Sequence, residues 1–123
     1  MMMVARSECG TPDQCENNIR PYLEYVFDDH ATTDSEKASI VVGCESTWKS
    51  TAKNPDSTAG GIFQFLAGTW NREAERSGWS EPLTRSANRY DPVLAIELAA
   101  DVTARDGQHG NPWRQWQCHP HPH

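Results

Sequence analysis

What the chain lacks narrows it first. No apolar run approaches the length of a bilayer span, and the opening Met1-Met2-Met3-Val4-Ala5-Arg6 turns polar without an apolar stretch. Neither a membrane partner nor a signal peptide is expected. Basic residues are scarce: 11 Lys and Arg stand against 17 Asp and Glu, a net charge of -6. Nucleic acids are held by clustered Lys and Arg, so they are not expected partners, and nothing steers the chain electrostatically onto anionic wall polymers. There is no Cys-x-x-Cys and no His-Glu-x-x-His. Common zinc modules and zinc-peptidase helices are thereby excluded, and neither a metal nor a cofactor is expected. No internal repeat is visible.

What is present fits one domain. At 123 residues with 37% apolar content, the chain can build a single modest core that gains from covalent staples. Cys9, Cys15, Cys44 and Cys118 form an even set, which favours disulfides in an oxidising compartment over a metal site. Their number alone leaves three pairings open. Five Trp is a heavy load for this length, and such rings serve either as core or as platforms for sugar rings.

Residues 1–17 read as an irregular polar leader that Cys9 and Cys15 could tie into a loop. From Asn18 to about His30, the spacing of Ile19, Tyr22, Leu23, Val26 and Phe27 predicts a helix with Pro21 in its first turn. Thr33-Asp34-Ser35-Glu36 has capping-box spacing and should open a second helix that ends near Ser46. The stretch from Thr47 to Gly61 is rich in small polar residues and should form a long loop with a short hairpin element. A third helix is expected from Ala67 to Arg76, stopped by Gly78, and a fourth from Asp91-Pro92 to Gly107 as a buried rod. Asn111-Pro112 should start a last short helix carrying Trp113 and Trp116, before an extended tail at residues 119–123.

Glu45 carries the candidate chemistry. It falls in the last turn of the second helix, just before Ser57, the pair Gly60-Gly61, and Gln64 set between Phe63 and Phe65. A lone Glu at a helix C-terminus is usually a solvated surface residue. A carboxyl beside rings and a helix C-terminus is instead suited to hold a proton and donate it. The glycines allow either a tight turn or close approach of a substrate to backbone. In an extended segment Gln64 would point away from its flanking rings, toward a sugar hydroxyl or N-acetyl group.

Three segments together resemble a known family. Cys44-Glu45-Ser46, then Gly61-Ile62-Phe63-Gln64-Phe65-Leu66-Ala67-Gly68-Thr69-Trp70, then Trp113-Arg114-Gln115-Trp116-Gln117-Cys118 are similar to the catalytic domain of resuscitation-promoting factors and related transglycosylase-like domains of actinobacteria and their phages. The resemblance implies an α+β, predominantly helical, lysozyme-like fold over residues 33–118, with residues 1–32 as leader and first helix and 119–123 as disordered tail. It implies peptidoglycan glycan strands as substrate and Glu45 as the acid, with Gln64, Thr69 and Trp70 near the glycan groove and Ser57, Gly61 and Phe63 completing the candidate set. It also implies a Cys44–Cys118 disulfide, which leaves Cys9 and Cys15 to pair. A monomer acting at the cell wall, as a secreted factor or a phage lysin or virion component, is expected.

Cleavage of the β-1,4 bond between N-acetylmuramic acid and N-acetylglucosamine needs a proton on the leaving oxygen, which Glu45 could supply. Asp56 is a candidate second carboxylate, although nothing in its spacing marks it. Without one, the muramic 6-hydroxyl could attack its own anomeric carbon, the lytic transglycosylase route. The rival functional class is a glycan-binding module that keeps the groove and does little chemistry.

Overall fold

A computed structural model describes residues 11–29 and 35–118. Four α-helices occur there in chain order: α1 (Pro12–Asp28), α2 (Ser35–Ser46), α3 (Ala67–Arg76) and α4 (Pro92–Gly107), with a 3-10 helix at Ser86–Tyr90 before α4. The expected leader, Cys9, the Thr33 cap and the histidine tail lie partly or wholly outside the described residues.

Helix α1 begins earlier than the sequence reading placed it. Thr11 is its N-cap and Pro12 its first residue, and a reciprocal capping box forms: Gln14 N–H donates to Thr11 Oγ1, and Thr11 N–H donates to Gln14 Oε1, each at 3.2 Å. Pro21 therefore lies inside the helix instead of in its first turn. An interior proline costs about 3 kcal/mol. Burying one Leu, Ile or Phe returns about 1.5–3 kcal/mol, and α1 buries Cys15, Ile19, Leu23 and Phe27 on a strict four-residue stripe. The stripe outweighs the proline. It packs on α2 and α4, so this helix belongs to the same core as the rest. At its edge the Tyr22 hydroxyl donates to Glu97 on α4. Burial, then this bond to a carboxylate, pushes the phenol far above its ordinary value.

Helix α2 presents Ala38, Val41 and Val42 to the core and ends where expected. Its last residue is tied down: the buried Ser46 hydroxyl donates to Ile62 O at 2.8 Å. Helix α4 begins as its sequence demands, with Asp91 Oδ1 accepting from Val93 N–H at 3.0 Å and Leu94 N–H at 3.3 Å. Ala95, Ile96, Leu98, Ala99, Ala100 and Val102 are buried, while Val93 and Leu94 at its start are half-buried. Helix α3 stops at Ser77, and Gly78 takes the left-handed conformation (φ 87°) that favours glycine.

Two expectations change. The hairpin after α2 is reduced, among the described residues, to the isolated bridges Lys53–Gly60 and Gly60–Phe65. The last short helix is instead a run of turns: Asn111 Oδ1 accepts from Trp113 N–H at 3.1 Å, and Trp116 N–H donates to Trp113 O at 3.1 Å. The Asn-Pro start is used, but the chain continues in three-residue turns instead of a helix, and both Trp rings are buried. Most of the tryptophans serve as core. Phe27 stacks on Phe63 at 6.1 Å and on Trp113 at 5.9 Å, while Trp116 meets Phe63 at 6.0 Å and Phe65 at 5.5 Å. Trp70 closes the cluster against Phe65 at 5.2 Å.

Glu73 on α3 is 1% exposed, and so buried a carboxylate demands partners. Arg105 on α4 reaches Oε1 at 2.6 Å, and Arg72 and Arg76 reach Oε2 at 3.3 Å each. Burial pushes its pKa up, but the Arg105 hydrogen bond and the charges of Arg76 and Arg105 together hold it below the ordinary value. A value lower in the folded than in the unfolded chain stabilises above the unfolded value, and that contribution is lost as the pH falls through the folded one. Glu73→Gln should thus lose about 3 kcal/mol at neutral pH, as expected for one partner removed from a buried ion pair. In thermal melts the gap to the parent should be full above roughly pH 4.3 and narrow in more acid solution; a gap independent of pH would contradict the ion-pair account.

Candidate active site

Glu45 stands at the end of α2 on the wall of a cleft of about 430 Å³. The long loop after α2 supplies a second wall with Asn54, Asp56, Ser57, Ala59, Gln64 and Leu66. Gln115, Trp116 and Gln117 of the C-terminal turns form the third. A niche of about 40 Å³ adjoins it, sharing Gln64, Leu66, Gln115 and Trp116 and adding Thr69 and Phe65.

Glu45 is placed from both chain directions. Cys44 and Cys118 form a disulfide, with Cα atoms 6.0 Å apart and a sequence separation of 74. The N–H of Cys118 donates to Glu45 Oε2 at 3.0 Å. The residue that is crosslinked to the neighbour of the acid thus also orients the acid. Cys15, buried on α1, is likewise disulfide-bonded; the Cys9 half of the expected pair lies outside the described residues.

The backbone beside Glu45 is in rare conformations. Thr47 (φ 50°) and Trp48 (φ 64°) follow α2 directly in the left-handed region, and Gln64 (φ 54°) adopts it across the loop. Such residues cost of the order of 1 kcal/mol or more each and persist only where the surroundings hold them. Here Trp48 is buried and Thr47 N–H bonds Gly43 O at 3.0 Å. Gln64 is held by its own side chain: Nε2 donates to Gly61 O at 2.8 Å and Ala52 O at 3.1 Å.

The candidate residues therefore separate into two groups. Glu45, Ser57 and Gln64 line the cleft, and Thr69 lines the niche. Trp70, Phe63 and Gly61 do not. Trp70 and Phe63 are fully buried, and Trp70 Nε1 donates to Leu83 O at 3.1 Å. Their aromatic character serves packing, which at the level of sequence looks the same as a sugar platform. Gly61 (φ 83°) sits where a Cβ would fall 2.0 Å from Arg89 O. The backbone that approaches it closely is the protein's own. Ser57 Oγ accepts from Ala59 N–H at 3.1 Å, shaping the loop that it lines.

Sequence reading missed Asn54, Leu66, Gln115, Trp116 and Gln117 as cleft residues. The last three lay within the quoted Trp113–Cys118 segment, and its disulfide was the signal that could have brought them beside Glu45. Asp56 also borders the cleft, exposed, with its N–H bonded to Asn54 Oδ1 at 2.8 Å. Among the described residues no group of three or more His, Cys, Asp or Glu could hold a metal ion.

Comparison with protein families matches residues 28–115 to the transglycosylase SLT domain. The chain belongs to this family. Comparison with curated proteins and with solved structures gives no match. At the level of the family, the SLT domain implies lytic transglycosylase-type cleavage of peptidoglycan. The helical architecture is consistent with the lysozyme-like superfamily to which such domains belong. No described helix of this SLT domain is long and apolar enough to cross a membrane.

The crosslink gives a measurable expectation. In the chain-entropy account, a loop of 74 residues closed by a disulfide is stabilised by about 4.5 kcal/mol. A Cys44→Ser/Cys118→Ser variant should lose most of that in denaturant titration. A loss below ~1 kcal/mol, small beside the disulfide range, would mean that the aromatic contacts already hold the loop closed.

Proposed function

We propose that Glu45 is the general acid and base of a lytic transglycosylase acting on the β-1,4 bond between N-acetylmuramic acid and N-acetylglucosamine. The observation that carries this is the Glu45 carboxyl on the cleft wall, with one oxygen fixed by the N–H of Cys118 at 3.0 Å. In the first step the protonated acid gives its proton to the bridging oxygen as the bond to the anomeric carbon breaks. The 6-hydroxyl of the muramic residue then attacks that carbon, and the carboxylate now formed takes the hydroxyl proton. The glycan leaves with a 1,6-anhydro end and Glu45 is restored. Proximity of the attacking hydroxyl lets a single carboxyl serve both halves.

Asp56 supports a second reading. It borders the same cleft, and as a base it would activate water and give a reducing end instead. Family membership favours the anhydro route, and it favours an enzyme over a module that merely binds glycan. Likeness to the resuscitation-promoting factors, and with it a role at the cell wall, rests on the sequence segments around Glu45 and Cys118. A disulfide beside the acid fits work outside a reducing cytoplasm.

Glu45→Gln should reduce muropeptide release from purified peptidoglycan by ~10²–10⁴-fold, the usual contribution of acid-base catalysis, while still sedimenting with the wall. Mass spectra of the parent's products should show ends one water lighter than hydrolysis gives, and Asp56→Asn should leave both yield and product unchanged. Release by Glu45→Gln at the parent's rate would rule the assignment out. Reducing ends that vanish with Asp56→Asn would replace the anhydro route by hydrolysis.

A further inference from the structure

The two faces of an amide side chain have the same shape and opposite polarity, so what it offers a ligand depends on what holds its other side. Gln115 lines both the cleft and the niche. Its Nε2 donates to Asp106 Oδ2 at 2.8 Å. Asp106, on α4, is 4% exposed, and the same Oδ2 lies 3.3 Å from Arg114 Nε. A carboxylate paired with a guanidinium offers only acceptors. Were the amide reversed, two oxygens would face each other in a buried place, at the cost of an unsatisfied polar pair. Gln115 can therefore turn only its N–H₂ to Asp106, and Oε1 is directed away from it.

We propose that Gln115 Oε1 is a fixed acceptor that reads an O–H or N–H of the bound glycan, and that Asp106 is a positioning residue which sets this polarity from behind the cleft wall. Neither residue belonged to the candidate set drawn from the sequence. The inference rests on the glycan-cleaving reading above and specifies one of its contacts. Surroundings suit such a ligand: Leu66, 45% exposed, with an edge of the otherwise buried Trp116 beside it, gives the shared wall of cleft and niche an apolar patch, against which the carbon face of a sugar can lie. Gln64, whose Nε2 is spent on the carbonyls of Ala52 and Gly61, presents the same polarity from the loop wall. A sugar turned with its hydroxyl and amide hydrogens toward these oxygens is selected over one turned the other way.

The test measures binding apart from turnover. In a Glu45→Gln background, titration calorimetry follows a β-1,4-linked tetramer of N-acetylglucosamine and purified glycan strands. Gln115→Leu should weaken binding by about 5–10-fold, the value of one neutral hydrogen bond. Asp106→Asn should do the same, since an Asn can donate to Oε1 and let the amide reverse. The double variant should be no weaker than either single one. Arg114→Gln, which removes the ion pair and keeps the carboxylate, should bind as the parent does. With Glu45 restored, Gln115→Leu should raise KM and leave kcat near that of the parent. If Asp106→Asn melts early, Gln115→Met still tests the amide. Parent-like binding by Gln115→Leu or Gln115→Met overturns the proposal, as do additive losses in the double variant for the role of Asp106. If the Glu45→Gln protein binds neither glycan and the parent releases no muropeptides, the enzymatic reading falls, and this one with it.

Discussion

Everything in the cleft depends on the covalent and hydrogen-bonded junction at Cys118. One residue supplies both the sulfur that ties the C-terminal turns to α2 and the N–H that meets Glu45. The two contacts act on adjacent residues of one helix, so the bond that closes the fold also limits how far the acid can wander. Side-chain freedom is expensive to remove piecemeal. Here much of that cost falls on the folding of the chain and not on the binding of a substrate.

The rest of the molecule braces this junction. Phe27, Phe63, Phe65, Trp113 and Trp116 form a chain of ring contacts from α1 through the loop to the C-terminal turns, and Trp116 Nε1 donates to Phe63 O at 2.8 Å in its middle. Helices α3 and α4 are drawn together by the Glu73–Arg105 pair, with Ser77 Oγ accepting from Arg105 Nη1 at 2.9 Å. Helix α4 in turn grips the C-terminal turns through Asp106. The strained left-handed residues Thr47 and Trp48 follow a fixed point, the last residue of α2, whose hydroxyl is bonded to Ile62 O. A rigid surround of this kind is what lets uncommon backbone conformations survive.

How much of this was legible depended on whether the signal was local. Asp91-Pro92 marks a helix start by its own chemistry, as Gly78 marks a stop, and both stand where expected. Pro21 misled because an interior proline is rare, and the stronger start at Thr11-Pro12 was passed over as a leader. The helix ending at Ser46 was legible from its spacing; Gln64 does border the cleft, but in a left-handed conformation and not in the extended segment expected of it. Trp70 and Phe63 were misplaced because a buried ring and an exposed one have the same letter, and only the partners decide. Gln115 and Asp106 are nine residues apart across a helix end and a turn; nothing in their neighbours' periodicity announces that one aims the other.

The separation of the crosslinked cysteines also imposes a sequence of events. During synthesis α2 and its acid leave the ribosome 74 residues ahead of Cys118, and the residues that complete the cleft arrive just before that cysteine. Until residue 118 has emerged, the third wall cannot be completed and Glu45 lacks the donor that fixes its oxygen. A nascent chain thus carries Glu45 before the cleft around it can close, and the site is among the last parts of the molecule to be completed.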